Sequence, residues 1–302
     1  MKILLTGANG LLGQKVVYRL LGEKGVQLTA TARGACRLAA HDGYSYITLD
    51  VEDADEVMRV ALEVRPDSII HTAAMTNVDA CESDKEACDR ANITAVRNVV
   101  RAAEAVGAHM VHVSTDFIFD GEAGPYDESA VPAPLSYYGR SKLLGEHEVT
   151  NGRAPWAILR TILVFGVVDN ASRSNIVLWA KQALEKGAPI NVVDDQWRSP
   201  TLAEDLAEAC VQAALRKATG LYHVSGSDMM CVIDIVREVA DFYGLDKGLI
   251  NPVSSVTLNQ PAKRPPRTGF IITKARRELG YDPHTFRDGI AVVDEQLKKW
   301  KG

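Results

Sequence analysis

The chain alternates short continuous apolar runs with longer segments in which apolar residues recur every three or four positions. The short runs predict buried strands, and the longer periodic segments predict amphipathic helices. In the first half of the chain, this pattern predicts six strands, at 2–6, 26–32, 44–50, 68–74, 109–115 and 156–166. Helices are predicted between these strands, at 10–23, 54–64, 81–107 and in the segment 136–146.

Short apolar strands separated by helices predict a parallel sheet that is covered by helices on both faces. The second half is less regular, with helices predicted at 174–187, 202–217, 231–244 and 286–299, and strands at 190–193 and 221–225. We therefore expect an α/β fold, a doubly wound parallel Rossmann sheet with a smaller C-terminal α/β lobe. The expected domains are 1–165 for the sheet domain, with 196–224 packing back on it, and 166–302 mainly for the lobe.

The composition argues against two classes of binding partner, nucleic acids and membranes. The 302 residues carry a formal net charge of −5, which argues against a nucleic-acid binder. No apolar run is long enough to cross a bilayer, and the N-terminus lacks the apolar core of a signal peptide, so we expect a cytoplasmic protein without a membrane partner. The five cysteines include no C-x-x-C pair, which predicts free buried thiols and no metal site.

A glycine-rich loop follows the first predicted strand. The segment TGANGLLG has glycines at positions 7, 10 and 13 and opens a predicted helix. Glycines at this spacing allow a tight turn and a close backbone approach to a pyrophosphate, and the helix N-terminus faces the anion. We therefore expect a dinucleotide to contact Gly7, Asn9, Gly10, Leu11, Leu12 and Gly13.

The end of the second strand bears on the choice of cofactor. An acidic residue about twenty positions after the glycines accepts a hydrogen bond from the ribose of NAD. This chain has Arg33 there, and a guanidinium suits a 2′-phosphate but accepts no hydrogen bond. NADP(H) is therefore favoured, with NAD(H) as the alternative if Arg33 only stacks on the adenine.

Tyr138 and Lys142 are four residues apart at the start of a predicted helix, so their side chains lie on one face. An ammonium beside a phenol can lower the pKa of the phenol and make it a general acid. The pattern alone is weak, because Tyr243 and Lys247 have the same spacing. Gly244 predicts a helix end between those two residues, so we interpret the second pair as an accident.

The glycine spacing and the Tyr-x-x-x-Lys motif together resemble the short-chain dehydrogenase/reductase superfamily. In that superfamily the Tyr–Lys pair is catalytic, and further landmarks fall in the same order in this chain. The resemblance implies that Asp50 and Val51 hold the adenine and that Ala73 and Ala74 run along the cofactor. Ser114 and Thr115 end the fifth strand, and the resemblance implies that Ser114, Tyr138 and Lys142 also contact the cofactor.

The resemblance is closer to the dTDP-4-dehydrorhamnose reductases, the RmlD-like family of extended short-chain dehydrogenases/reductases. It rests on the segments MTNVDACE, STDFIFDG, YYGRSKLLGE, LRTILVFG and DQWRSPT. Members of this family reduce the 4-keto group of a nucleotide-linked deoxysugar with NADPH or NADH. They are often dimers, so the resemblance implies a homodimer. By position, Thr115, Tyr138 and Lys142 form the catalytic set, with Tyr138 as the general acid. Thr76, Val78 and Asp79 line the sugar site, and Thr76 also borders the cofactor.

Two positions depart from the family pattern. Phe117 stands where the family has tyrosine, and Leu163 stands where it has tryptophan, which leaves the sugar open. A related branch, the regulatory β subunit of methionine adenosyltransferase, implies a non-enzymatic NADP-binding subunit as the alternative, and a sugar-nucleotide epimerase is a third class. The remaining candidate substrate contacts are Asp116, Trp197, Arg198 and Arg267. Arg267 belongs to a basic loop in which Lys263, Arg264 and Arg267 either clamp a diphosphate or lie in solvent.

Overall fold

The structure is a computed structural model that describes residues 1–169 and 174–299. Its strands are β1 Lys2–Thr6, β2 Gln27–Ala32, β3 Ser45–Thr48, β4 Ser68–His71, β5 His109–Thr115, β6 Trp156–Thr161, β7 Val164–Phe165, β8 Ile190–Val193, β9 Trp197–Arg198, β10 Thr201–Leu202, β11 Gly220–His223, β12 Met230–Cys231, β13 Ile250–Val253 and β14 Arg267–Thr268. Its α-helices are α1 Leu11–Leu21, α2 Ala54–Val64, α3 Val78–Ser83, α4 Lys85–Asp89, α5 Ala95–Val106, α6 Tyr137–Asn151, α7 Ile176–Glu185, α8 Ala203–Leu215, α9 Val232–Tyr243, α10 Thr273–Leu279 and α11 Phe286–Lys299.

Seven strands form a central sheet in the order β11-β6-β5-β4-β1-β2-β3, and every neighbouring pair is parallel. The predicted doubly wound parallel sheet is confirmed. Chain order reverses between β1 and β4, so a crevice opens outside the carboxyl ends of these two strands, where such folds bind ligands. The loops that follow β1, β4 and β5 therefore face one cleft.

Alternate residues along each strand pack into two different cores, one on each face of the sheet. Ile3 and Leu5 of β1 belong to a core with α1 and α8, whereas Leu4 belongs to a core with α2 and α5. Strands buried on both faces explain the near-continuous apolar runs in the sequence. A third core lies in the C-terminal half, between α7, α9, α11 and β8.

The C-terminal half contributes to both parts of the molecule. Helix α8 packs against α1, and β11 extends the central sheet beside β6, whereas α7, α9 and α11 share the third core. We therefore propose a domain boundary near residue 165, with 196–224 returning to the sheet domain.

The single helix predicted at 81–107 is wrong in its continuity. The structure has α3, α4, a π-helical turn at Arg90–Thr94 and then α5. Asp84 leaves the helical conformation, with φ −131° and ψ 81°, and its side chain accepts a hydrogen bond from the Ala87 backbone N–H. This cap begins a new helix within a segment whose composition favours an unbroken one.

The strands predicted at 156–166 and 68–74 are both too long. Strand β6 ends at Thr161, Leu163 has a φ of 41°, and β7 pairs with β10 outside the central sheet. A positive φ in a leucine turns the chain away from the sheet, although the run stays apolar. Strand β4 ends at His71, and Thr72 then bonds back to the Thr6 carbonyl, which directs the next residues over the glycine loop.

Candidate active site

The glycine loop and the start of α1 form one wall of the cleft. Gly7 has a φ of +78°, and a Cβ at this position would lie 2.7 Å from the Ala73 backbone nitrogen. Any side chain there would fill the space between the loop and the segment after β4. Gly10 caps α1 without a side chain, so the first N–H groups of that helix have no partner within the helix. The geometry suits a phosphate group.

A cavity of about 460 Å³ lies beyond this loop, toward β2 and β3. The sequence-predicted residues that line it are Gly7, Asn9, Gly10, Arg33, Val51, Ala73 and Ala74. Asp50 does not line the cavity, because its carboxylate accepts a hydrogen bond from the Glu52 backbone N–H at 3.0 Å. Asp50 therefore shapes the turn that presents Val51.

Asn9 ties the loop after β2 to the glycine loop. Its side-chain amide donates to the Ala35 carbonyl at 3.0 Å and accepts from the Arg37 N–H at 2.9 Å. It also donates to the Tyr46 hydroxyl at 3.1 Å. Asn9 therefore fixes the segment that carries Arg33 relative to the phosphate-binding wall.

Arg33 does not act alone at this end of the cleft. Its guanidinium lies 3.6 Å from the Glu52 carboxylate, which also pairs with Arg90 at 3.4 Å. The Arg33 side chain is 69% exposed, so this pair is screened by solvent. Sequence reasoning missed Glu52 and Arg90, although Glu52 directly follows the Asp50–Val51 landmark. An acidic and two basic side chains thus share one cofactor-sized cavity.

A second cavity, of about 820 Å³, continues from the first, and both are bordered by Gly10, Thr72, Ala74 and Met75. The sequence-predicted residues that line it are Gly10, Leu11, Leu12, Gly13, Ala74, Thr76, Val78, Ser114, Thr115, Asp116, Tyr138 and Lys142. The structure therefore brings the predicted catalytic residues into the cleft that begins at the glycine loop.

Helix α6 carries Tyr138 and Lys142 against the end of β5. Ser136 caps the helix by accepting a hydrogen bond from the Gly139 N–H at 3.2 Å. A Cβ on Gly139 would lie 2.1 Å from the Phe117 carbonyl oxygen, so only glycine allows the helix to pack this closely on the Asp116–Ile118 turn. This packing brings Tyr138 beside Thr115.

The two reactive side chains are deeply buried, and burial controls their ionisation. Lys142 donates a hydrogen bond to the Val113 carbonyl at 2.8 Å, and burial lowers its pKa to about 8, opposed by the nearby Glu146 carboxylate. Burial raises the pKa of Tyr138 well above its ordinary value; hydrogen bonding with Thr115 acts in the opposite direction, and the nearby Asp116 raises it further. The expected net lowering of the Tyr138 pKa toward neutral pH is wrong for this structure, because desolvation of the phenolate outweighs the opposing contributions.

Thr115 and Asp116 form a buried polar network behind Tyr138. The Thr115 hydroxyl donates to the Asp116 carboxylate at 3.1 Å and accepts from the Phe117 N–H at 3.2 Å. Thr268 donates to the other Asp116 oxygen, and the Arg198 guanidinium lies 4.0 Å away from it. Burial raises the pKa of Asp116, and the Arg198 charge opposes that shift. The network fixes the position of the Thr115 oxygen.

A buried ion pair anchors α6 to β6 below the reactive residues. Arg160 makes two bonds to Glu146, at 3.0 and 2.7 Å, and both side chains are almost fully buried. His71 and His112 also stack below the cleft, with ring centroids 5.5 Å apart. Burial lowers the pKa of both histidines, to about 3 for His71, so they stay neutral and add no positive charge beside Lys142.

Four predicted substrate contacts lie outside the lining of the cleft. Asp79 is paired with Arg264, with a shortest contact of 2.7 Å. Arg198 lies behind Asp116, and Arg267 lies over the Trp197 ring, 6.0 Å from its centroid. Trp197 packs against the third core, which explains why this ring does not reach the cavity.

Arg264, which the sequence placed either in a diphosphate clamp or in a solvated basic loop, lines the second cavity. Its partner Asp79 is 185 residues away in the chain, so no local pattern announces the pair. Both departures from the family pattern, Phe117 and Leu163, also line this cavity. The Phe117 ring meets the Tyr138 ring edge-on, with centroids 5.5 Å apart, so the pocket wall beside the phenol is apolar.

The Tyr243–Lys247 pair is not a second site. Tyr243 ends α9, and Gly244 takes the left-handed conformation that terminates the helix, as predicted. Lys247 lies beyond this break and pairs with Asp241. The two residues therefore do not share a helix face.

The whole chain matches one family of proteins. The model of the RmlD substrate binding domain covers residues 1–298. The chain belongs to the RmlD substrate binding domain family. The predicted resemblance to RmlD-like extended short-chain dehydrogenases/reductases is thereby confirmed.

Relatives of this RmlD family member include proteins named for different roles. The probable low-salt glycan biosynthesis reductase Agl14 of Haloferax volcanii is 31% identical over 297 residues, 96% of each chain. The methionine adenosyltransferase 2 subunit beta of Xenopus tropicalis is 31% identical over 271 residues, 88% of this chain and 78% of that protein. The crystal structure of the Bacillus anthracis dTDP-4-dehydrorhamnose reductase in complex with NADP superposes with a TM-score of 0.83 at 27% identity, covering 98% of this chain and 99% of that one.

Within residues 1–169 and 174–299, no helix is long and apolar enough to cross a bilayer. The same residues contain no group of three or more histidine, cysteine or acidic side chains placed to hold a metal ion.

Proposed function

We propose that this chain is an oxidoreductase that reduces the 4-keto group of a nucleotide-linked deoxysugar with NADPH, and with NADH as the weaker alternative. One observation carries the proposal. The hydroxyls of Thr115 and Tyr138 and the ammonium of Lys142 line a cleft that continues without interruption to the glycine loop. A reductase and a dTDP-4-dehydrorhamnose reductase among the relatives support the same class of reaction.

The cleft fits a nicotinamide dinucleotide. The open first turn of α1 suits the pyrophosphate, and the glycine at position 7 lets the loop pack closely on Ala73. Val51 and Ala73 border the cavity on the adenosine side, and Lys142 lies in the second cavity, where the nicotinamide end would lie. The cofactor, when bound there, supplies the hydride.

Tyr138 supplies the proton in this proposal. Because burial raises the pKa of its phenol, Tyr138 is protonated at neutral pH and holds the proton that the new alcohol needs. To hold the same carbonyl oxygen, the Thr115 hydroxyl would turn its single proton from Asp116 toward that oxygen, while it still accepts the hydrogen bond from the Phe117 N–H. Lys142 offers a positive charge that stabilises the phenolate left after proton transfer.

The substrate side of the cleft combines small polar and apolar groups. Thr76, Val78 and Asp116 line it, and we assign them to the sugar. Arg264 borders the same space, and its guanidinium suits the diphosphate of a nucleotide sugar. When the diphosphate binds, it would replace Asp79 as the partner of Arg264.

The direct test is to measure NADPH oxidation with a panel of dTDP-, UDP- and GDP-linked 4-keto sugars. Turnover with at least one of them is expected, and the preferred nucleotide and sugar follow from the comparison of kcat/KM values. A wild-type protein that binds NADP tightly and oxidises NADPH with none of the panel would contradict the proposal.

A second candidate is a non-enzymatic, NADP-binding regulatory subunit. The specific observation in its favour is the apolar wall formed by Phe117 and Leu163, together with the relative named methionine adenosyltransferase 2 subunit beta. This candidate predicts a stable complex with a methionine adenosyltransferase catalytic subunit and no turnover of sugar nucleotides. Size-exclusion chromatography of the mixed proteins, with and without NADP, distinguishes the two.

An epimerase is the third candidate, favoured only by the Glu52 carboxylate in the adenosine cavity, which could accept a hydrogen bond from the ribose of NAD. An epimerase recycles one tightly held cofactor. The epimerase candidate therefore predicts that denaturing the purified protein releases about one NAD per chain. The reductase candidate predicts that added NADPH is consumed.

A further inference from the structure

Two cysteine thiols meet directly below the reactive residues. The Sγ atoms of Cys81 and Cys88 are 2.7 Å apart, and both residues are completely buried. A disulfide bond is about 2.0 Å long, so the two sulfurs are about 0.7 Å from bonding distance. Both cysteines are free thiols in this structure.

The break between α3 and α4 brings these two sulfurs together. In a continuous helix, residues seven positions apart are separated by about 10.5 Å along the axis. The Asp84 cap ends α3 and starts α4 in a new direction, so that Cys81 and Cys88 face each other. The unexpected helix break therefore has a chemical consequence.

The surroundings of the two thiols differ. The Cys88 Sγ lies 3.2 Å from the Ser141 hydroxyl, and the Asn92 side-chain amide donates to it at 3.4 Å. The Lys142 ammonium is close enough to interact with the charge of a Cys88 thiolate. Burial raises the pKa of the Cys81 thiol, and the Glu82 and Asp89 carboxylates raise it further; the thiol also contacts the Met75 carbonyl at 3.9 Å. Cys88 is therefore the better placed of the two to react as a thiolate.

The pair lies one side chain below the cleft. Cys81, Cys88 and Tyr138 form one packed cluster, bordered by Met75, Val78, Phe117 and Tyr137. Tyr138, Met75, Val78 and Phe117 also line the second cavity. A molecule the size of water therefore needs to pass only one layer of side chains, and α3 and α4 are short helices that open at low cost.

We propose that Cys81 and Cys88 are a reversible oxidation site under the reactive centre, with a peroxide as the oxidant. The Cys88 thiolate attacks one peroxide oxygen, the O–O bond breaks, and hydroxide leaves with a sulfenic acid formed on Cys88. Cys81 then attacks that sulfur, the S–O bond breaks, and a second hydroxide leaves as the disulfide forms. The two thiol protons neutralise the hydroxides, so two thiols and one hydrogen peroxide give one disulfide and two waters.

Formation of the disulfide should slow the proposed reduction, and this part of the inference rests on the proposed function. Closing the sulfurs by about 0.7 Å draws α3 and α4 together beneath the Tyr138 ring. A displacement of about 1 Å in a reacting group costs on the order of 10²-fold in rate, so we expect a loss of about tenfold. A thiol reductant restores the rate.

The test treats the folded wild-type protein with hydrogen peroxide, blocks the remaining thiols with an alkylating reagent under denaturing conditions, and measures the mass. The expected result is two fewer alkylated cysteines, a peptide that links residues 81 and 88, and full recovery after reduction. Cys88→Ser and Cys81→Ser should each abolish the link. Cys210→Ser, at a buried position on α8, is the matched control and should leave the link intact.

The mass measurement tests the oxidation site whatever reaction the protein catalyses. A linked 81–88 peptide in a protein that reduces no sugar nucleotide supports the oxidation site and overturns only the proposed function. The oxidation site is overturned if Cys81 and Cys88 remain fully alkylated while partly exposed methionines or the partly exposed Cys36 are oxidised, and the wild-type peptide map alone decides this. An oxidised protein that turns over substrate at the reduced protein's rate overturns the predicted effect on catalysis.

Discussion

Lys142 donates a hydrogen bond from its ammonium group to the backbone carbonyl of Val113 over 2.8 Å. This bond fixes the tip of a long, flexible side chain on helix α6 against strand β5, so the charge sits at one place beside Tyr138. Burial lowers the pKa of the same group to about 8. The position of Lys142 therefore depends on the packing of α6 against β5 as much as on the Tyr-x-x-x-Lys spacing.

Replacing Tyr138 with phenylalanine should abolish most of the turnover and leave cofactor affinity unchanged. The substitution keeps the ring that packs against Phe117 and removes only the hydroxyl that holds the proton. Turnover is followed by NADPH oxidation, and affinity by fluorescence titration. Tyr243→Phe is the matched control, because that hydroxyl is buried without a hydrogen-bond partner among the described residues and the side chain packs against the third core. Equal losses in the two variants would remove Tyr138 from the mechanism.

Replacing Lys142 with methionine should reduce both turnover and cofactor affinity and should change how stability depends on pH. The pKa of Lys142 falls from 10.5 to about 8 on folding, so between these values the unfolded chain binds more protons than the folded one. The free energy of unfolding of the wild type should therefore rise, relative to Lys142→Met, as the pH increases through this range. The shift corresponds to about 3 kcal/mol at most.

Urea unfolding of the wild type and of Lys142→Met, from neutral pH to about pH 10, measures this difference. Tyrosines and other groups titrate equally in the two proteins, so the difference isolates Lys142. If the difference in unfolding free energy between the two proteins stays constant across this pH range, the pKa of Lys142 does not fall on folding, and the prediction is contradicted.

The Arg33–Glu52 pair should set the preference between the two nicotinamide dinucleotides. Arg33→Ala should weaken NADPH by roughly five- to tenfold, equivalent to about 1–1.4 kcal/mol, and leave NADH nearly unchanged. Glu52→Gln removes the carboxylate that competes with a 2′-phosphate for Arg33 and Arg90, so it should tighten NADPH.

Fluorescence titration with both cofactors tests this, and Arg59→Ala, an exposed arginine on α2 paired with Glu63, serves as the matched control. The cofactor account fails if Arg33→Ala binds NADPH as tightly as the wild type does.

The buried Arg160–Glu146 pair should be costly to break. Arg160→Met leaves the Glu146 carboxylate buried without its partner, which should lower the free energy of unfolding by about 3–5 kcal/mol. The double variant Arg160→Met with Glu146→Leu should recover much of that loss. Removing an arginine from the exposed Arg59–Glu63 pair should cost only about 0–1 kcal/mol, and a similar small loss at Arg160 would contradict the account.

Local sequence patterns were sufficient for the central features of the fold and cleft. The glycine loop at 7–13 and the Tyr138–Lys142 spacing are short motifs whose geometry follows from a strand, a turn and a helix. Continuous apolar runs were enough to predict the parallel sheet, because strands buried on both faces are apolar throughout. These features depend on residues that are close together in the chain.

The missing features depend on side chains that meet across the fold or on single residues that override a pattern. Arg264 pairs with Asp79, 185 residues away in the chain, and Glu52 pairs with Arg33 from the loop after β2 and with Arg90 from the π-helical turn. Asp84 splits a segment that has good helix formers on both sides. The raised pKa of Tyr138 follows from burial depth, which the Tyr-x-x-x-Lys spacing does not encode.

The most direct test of the central claim is to follow the hydride itself. NADPH deuterated at the transferred position is incubated with the wild type and the 4-keto sugar nucleotide that the panel favours, and the product is examined by NMR. The account predicts deuterium on carbon 4 of the sugar with the wild type, and almost none with Tyr138→Phe at equal cofactor saturation. Tight NADPH binding by the wild type without any transfer of deuterium to a sugar would contradict it.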